Sequence, residues 1–280
     1  METLQLEVGD LTFDAVADGP ADGRLVLLLH GFPQTSWSWR HVMAPLAAAG
    51  YRVVAPDQRG YSPGARPDGA SAYGMGSLVA DAVGILDALG ADRADVVGHD
   101  WGAAVAWQLA GRHPARVRTL TAVSVPHPQA FIEALRTDDD QRQRSAYMKF
   151  FQVEGAAEEA LLGNDAAGLR AVFAGSGPDV DVERYVALMQ QPGVLTRALG
   201  WYRAQELADV EGIGPTEAPT LYVWSDADLA LGPVAAHATA AHVRGPYRFE
   251  VLHDVSHWVP EQAHDQLTTW LLEHLAAHPA

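Results

Sequence analysis

The first residues form two alternating stretches, 3–8 (TLQLEV) and 11–17 (LTFDAVA). Every second position in them is apolar, which predicts strands buried on one face. Turn-forming GD and DGPADG close them. Leu25–Leu29 (LVLLL) and Arg52–Pro56 (RVVAP) are instead continuous apolar runs, the pattern of strands covered on both faces. A helix is predicted between them, over roughly 39–49. Residues 76–89 (GSLVADAVGILDAL) repeat their apolar positions near every 3.6 residues and predict another helix. Ala94–Gly98 predicts a strand, Gly102–Ala110 a helix and Val117–Val125 a strand. Strands alternating with helices at this spacing predict a mostly parallel sheet with helices on both faces.

The rhythm breaks after Pro126. Residues 127–213 carry helical patches and no buried-strand pattern, and the run DDDQRQR (138–144) is expected to be a solvated helix face. The alternation resumes with Pro219–Trp224 (strand), Val234–His242 (helix), Tyr247–Leu252 (strand) and Asp265–Ala277 (helix). The expected organisation is an α/β core of 1–126 and 214–280. A helical cap, 127–213, would sit over the sheet's C-terminal edge, where such folds place their sites.

Composition narrows the function. With 48% hydrophobic and 19% charged residues in 280, the chain can bury a full core. A net charge of −16 argues against nucleic acid or an anionic membrane as the main partner. The absence of cysteine excludes disulfides, Cys-ligated metals and thiol nucleophiles. The opening METLQLEVGD lacks the basic and apolar regions of a signal peptide, and the apolar runs are too short to span a bilayer. A soluble, cytoplasmic protein is expected.

The chemistry sits at Gly98-His99-Asp100-Trp101-Gly102, between a predicted strand and a predicted helix. Small residues two before and two after a central side chain fit a nucleophile elbow. The central residue is Asp100, which in isolation also suits a helix cap. His30-Gly31-Phe32-Pro33 follows the third predicted strand, so the amides of Phe32 and Trp101 would converge on an oxyanion. Asp228 follows the strand LYVW and His257 follows YRFEVL, in the order nucleophile, acid, histidine. Asp226, His253 and His264 compete for these roles. Distance beyond the strands favours Asp228 and His257.

These segments together resemble the epoxide hydrolase branch of the α/β-hydrolase fold, with haloalkane and fluoroacetate dehalogenases as relatives. HGFPQTSWSWR, DQRGYSPGARP and GHDWGAAVAW carry the likeness, which covers nearly the whole chain. Within the cap, SAYMKFFQ (145–152) and WYR (201–203) resemble the segments bearing that branch's two cap tyrosines. The resemblance thereby assigns proton-donor roles to Tyr147 and Tyr202. His30, Pro33, Trp37 and Trp201 flank the site as candidate substrate contacts. Two positions depart from the pattern: Ser62 stands for a usual Gly after Gly60-Tyr61, and Ser256 for a usual Gly before His257.

An aspartate nucleophile selects the reaction. Serine attacking an sp³ carbon would form an ether, which activated water does not cleave. Aspartate forms an ester, which it does cleave. Asp100 is ionised at neutral pH without a helper, so His257, oriented by Asp228, is needed to activate water in a second step. An epoxide oxygen leaves as a basic alkoxide and gains from phenol donors. A halide needs N–H donors. Trp101 supplies one, but position 32 is Phe, and Trp201 would turn about 100° from Tyr202 along a helix. The sequence therefore favours a cofactor-free, metal-free epoxide hydrolase acting on a small apolar epoxide. The alternatives are a haloalkane dehalogenase, a ligand-binding homologue without turnover, and a cofactor-free cyclase or rearrangement catalyst.

Overall fold

The computed structural model describes residues 1–205 and 213–279. Its centre is one eight-stranded sheet: β1 (Glu2–Val8), β2 (Leu11–Asp18), β3 (Arg24–Leu29), β4 (Tyr51–Pro56), β5 (Ala94–His99), β6 (Val117–Val123), β7 (Thr220–Ser225) and β8 (Tyr247–Leu252). The order is β1-β2-β4-β3-β5-β6-β7-β8. β1 and β2 pair antiparallel, as does β2 with β4, and every later pairing is parallel.

The side-chain period of two explains why the central strands read as unbroken apolar runs. Val26, Leu28, Val97, Val123, Leu221 and Val223 face one side. Leu27, Leu29, Val96, Leu120, Ala122 and Tyr222 face the other. Helices α1 (Arg40–Ala48), α2 (Met75–Ala88) and α3 (Trp101–Arg112) alternate with the first strands. α1 covers the first side through Val42, Met43 and Leu46, whereas α2 and α3 cover the second.

Six helices then follow between β6 and β7: α4 (Pro128–Thr137), α5 (Asp139–Arg144), α6 (Ala146–Phe151), α7 (Ala156–Val172), α8 (Val182–Met189) and α9 (Val194–Arg203). No strand is found in this insertion among the described residues, and its predicted end includes 206–212, outside them. α7 is broken inside: Gly163 is extended, and Asn164, Asp165 and Ala166 have left-handed backbones. The remaining helices are α10 (Pro233–Ala238), α11 (Val259–Gln262) and α12 (His264–Ala277). α10 is shorter than the helix predicted over Val234–His242, whose second half is a 3₁₀ turn, Thr239–His242.

One expectation fails within the insertion. The run 138–144 is helical, but it is not simply a solvated face: Gln141 is fully buried among exposed charged neighbours. Among the described residues, no helix is long and apolar enough to cross a membrane.

Candidate active site

β5 ends at His99 and α3 begins at Trp101, so Asp100 alone makes the turn. Its backbone sits at φ 52°, ψ −124°, a region side chains rarely adopt. The flanking glycines permit it. A Cβ on Gly98 would stand 2.2 Å from the Gly102 carbonyl oxygen, and one on Gly102 would stand 2.0 Å from that of Leu29. The turn leaves the carboxylate beside the free amides of the helix start, which favour negative charge. The Phe32 amide donates to Asp100 Oδ1 at 2.8 Å, and the Trp101 amide also bonds this carboxylate.

The loops after β7 and β8 bring the other two groups. His257 Nδ1 donates to Asp228 Oδ2 at 2.7 Å, and its Nε2 lies 3.5 Å from Asp100 Oδ2. Asp228 is buried, and its second oxygen accepts the amides of Ala230 (2.8 Å) and Leu231 (3.1 Å). The competing residues lie elsewhere. Asp226 and His253 pair with each other at the surface, 2.6 Å apart, and His264 stacks on His41.

Burial and charge oppose each other here. Burial disfavours the charged form of His257, but Asp228 and Asp100 outweigh it and raise its pKa to about 10. Burial would raise the Asp100 pKa, yet hydrogen bonding and attraction from His257, with help from the Trp101 amide, bring it below the usual carboxylate range. The protonated form of His257 is thereby favoured where it lies between Asp100 and Asp228. His99 is buried beneath it. Its Nε2 lies 2.8 Å from the His257 carbonyl oxygen, and burial followed by repulsion from His257 lowers its pKa to about 3. A neutral His99 donating to that carbonyl fixes the backbone of the histidine loop. Sequence reading assigned it no role, although it sits inside the elbow motif.

Tyr147 (α6) and Tyr202 (α9) project from the insertion. Their rings are 6.1 Å apart and meet edge-on. Tyr202 packs edge-on to Trp101 (5.0 Å) and Phe32 (5.4 Å). Burial, reinforced by neighbouring negative groups, holds both phenols well above their ordinary pKa, so both stay protonated. Two cavities, of about 410 Å³ and about 390 Å³, share Asp100, Tyr147, Tyr202 and Ala230 in their walls. Phe131, Leu135 and Met148 make the first apolar. Phe151, Leu161 and Trp258 do so for the second, which also contains His257.

The four candidate substrate contacts fall outside both walls. His30 is a buried strut: its Nδ1 lies 3.0 Å from the Gly31 carbonyl, and its Nε2 accepts the Gln58 amide. Pro33 follows Phe32 through a cis peptide and is buried. Trp37 lies beneath the guanidinium groups of Arg40 and Arg184, at the junction with the insertion. Trp201 is fully buried and donates its indole N–H to the Arg59 carbonyl at 2.9 Å. His30 and Trp201 are held away from the cavities by burial and hydrogen bonds, Pro33 is buried, and Trp37 packs under the two arginines instead.

The two serine departures cause no backbone conflict. Neither residue has a positive φ. Ser62 Oγ accepts the Asp14 amide, and Ser256 bonds Gln262 Oε1 through its amide and its hydroxyl. No group of three or more residues able to hold a metal occurs among the described residues.

Known proteins share this architecture. A family model described as the alpha/beta hydrolase fold matches residues 24–263. The AB hydrolase superfamily protein YfhM of Bacillus subtilis is 34% identical, with 95% of this chain and 94% of that protein covered. Epoxide hydrolase A of Mycobacterium tuberculosis is 33% identical, with 93% and 92% covered. The crystal structure of Epoxide Hydrolase A from Mycobacterium thermoresistibile superposes with a TM-score of 0.84 at 30% identity, covering 98% of both chains. This chain belongs to the α/β-hydrolase fold family and, within it, to the epoxide hydrolase branch.

Proposed function

We propose that this epoxide-acting hydrolase forms vicinal diols through an ester on Asp100. Residues 127–213 serve as the cap that closes over the substrate. Asp100 Oδ2, the oxygen not held by the Phe32 amide, attacks an epoxide carbon, and the C–O bond of the ring breaks. Tyr147 or Tyr202 gives its proton to the departing oxygen. The resulting phenolate is reprotonated by the His257 imidazolium, which leaves that histidine neutral. Loss of the Asp100 charge on esterification favours this, since that charge helps hold the His257 proton.

Neutral His257 then takes a proton from water, and the hydroxide adds to the carboxyl carbon of Asp100. The oxyanion forms on Oδ1, which the Phe32 amide already holds, with the adjacent Trp101 amide as the second donor of the proposal. Collapse expels the diol oxygen, which takes the acid proton. The carboxylate and the imidazolium are restored.

The observation that carries this reading is the pair of protonated phenols facing an ionised, elbow-mounted carboxylate across shared cavities. The same surroundings disfavour a halide leaving group. Trp201's N–H is committed to the Arg59 carbonyl, the Trp101 ring packs edge-on against Tyr202, and Phe32 offers no side-chain donor. The apolar walls suit a neutral substrate with hydrophobic substituents.

Intact-protein mass spectrometry of His257→Ala tests the mechanism. The variant is incubated with styrene oxide, a terminal alkyl epoxide and a primary haloalkane. An adduct of epoxide mass that disappears on adding Asp100→Ala is expected. Adducts with the haloalkane alone would move the assignment to a dehalogenase. No adduct at all would overturn the ester route.

A further inference from the structure

The loop carrying the catalytic acid is held from outside the sheet. α5 is exposed along most of its length, yet Gln141 points inward and is fully buried. Its Nε2 donates to the Ala230 carbonyl (2.8 Å) and to Ser145 Oγ (2.9 Å), and its Oε1 accepts the Gly232 amide (2.7 Å). Both ends of one side-chain amide are thus fixed on the backbone that flanks Leu231. The Ala230 and Leu231 amides are the two that hold Asp228 Oδ1. One turn further along α5, Arg144 Nη1 donates to the carbonyl of Asp228 itself, at 2.5 Å. From the core side, Trp224 holds the Leu231 carbonyl at 3.0 Å. Leu229, the residue after Asp228, is largely exposed.

We propose that Gln141, assisted by Arg144, is a positioning residue for ester hydrolysis: it fixes the 228–232 loop and thereby the Asp228–His257 pair. This inference rests on the two-step reading above. Asp228 and His257 activate water after the ester has formed, whereas bond formation itself uses the ionised Asp100 and the tyrosines, His257 only returning a proton to the phenolate afterwards. A loosened acid loop should therefore slow the second step and spare the first. The reciprocal amide pattern also has direct chemical content. An apolar residue of the same length removes all three contacts, leaving the Ala230 carbonyl, the Gly232 amide and the Ser145 hydroxyl without this partner.

The test compares Gln141→Met, Arg144→Gln, Arg142→Ala and His257→Ala by single-turnover kinetics with styrene oxide, following adduct formation and decay by rapid-quench mass spectrometry. Arg142 lies on the exposed side of the same helix and bonds Asp139 and the α4 end. It reports on helix stability alone. Adduct decay in Gln141→Met should slow roughly 10- to 100-fold, as expected for misplacement of a catalytic group by fractions of an ångström. Adduct formation should stay near the wild-type rate. Arg144→Gln should act in the same direction more weakly, and it carries the test if Gln141→Met fails to fold. The acid limb of the decay rate should also move to lower pH in Gln141→Met, because a displaced Asp228 supports the His257 proton less. Arg142→Ala should lower the melting temperature without changing the partition between steps. Equal slowing of both steps in Gln141→Met and Arg144→Gln, or wild-type decay in both, would overturn the proposal. An absent adduct in His257→Ala would overturn the two-step reading and this inference with it. Adduct in His257→Ala with normal decay in the Gln141 and Arg144 variants would overturn this inference alone.

Discussion

Asp100 has to be buried, ionised and reachable at once. Its strained backbone lifts the side chain off the sheet, while two amides and an imidazolium compensate for the water it has lost. The tyrosines opposite face the reverse condition: burial keeps their protons on, as the proposed donors to a leaving alkoxide require. Tyr147→Phe and Tyr202→Phe should each slow ring opening, and the double change should slow it by roughly 10²-fold or more, the usual worth of a positioned acid. Unchanged single-turnover rates in the double variant would remove the phenols from the mechanism. The choice of acid is equally testable. Asp228→Asn should slow adduct decay, whereas Asp226→Asn, at a surface pair with His253, should leave it alone. The reverse result would mean the wrong carboxylate has been assigned.

Short elements join the insertion to the sheet. α11 begins two residues after His257 and carries Glu261, a carboxylate with no exposed surface. Glu261 pairs with Arg40 and accepts the Tyr185 hydroxyl of α8 at 3.0 Å and the Gln34 amide at 2.5 Å. One side chain therefore links the histidine loop, the segment after β3 and the insertion. Glu261→Ala would strand the Arg40 charge and the Tyr185 hydroxyl in a buried place. It should cost about 3 kcal/mol of folding stability, measurable as a shift in the urea midpoint. A loss well under 1 kcal/mol would show that the pair merely repays its own desolvation. None of this was legible in the sequence. A glutamate four residues beyond a histidine has no signature, because its partners lie far away along the chain.

At the scale of the whole molecule, buried histidines set the pH range. Burial, with a neighbouring histidine in each case, lowers the pKa of His99 and His127 to about 3 and that of His274 to about 4. In the unfolded chain each would titrate near ~6.5. As pH falls below that value, the unfolded chain takes up protons that the folded chain refuses. Stability should drop toward pH 4 by up to about 1.4 kcal/mol per pH unit for each such histidine. His257 has the opposite sign. Its folded pKa is raised to about 10, so its contribution is fully present below the unfolded value of ~6.5 and is lost as pH rises through about 10. Urea unfolding from pH 4.5 to 10 should therefore show a maximum near pH ~6.5. A flat profile would show that these histidines do not differ between the folded and unfolded chains.

Sequence alone determined the order and type of the core elements, because strand and helix periods are local properties of side-chain direction. The runs LVLLL and RVVAP have the pattern of strands covered on both faces, and GHDWG between strand and helix fits a sharp turn at Asp100, although in isolation it also suits a helix cap. Chain order narrowed the acid and the base to a few residues each. Tertiary structure decided what depends on distance. It separated Asp228 from Asp226, turned His30, Pro33, Trp37 and Trp201 away from the cavities, and buried Gln141 within a charged run. Those outcomes depend on hydrogen-bond partners tens to hundreds of residues away. A local pattern carries no record of them, so they exist only once the sheet has brought the loops together.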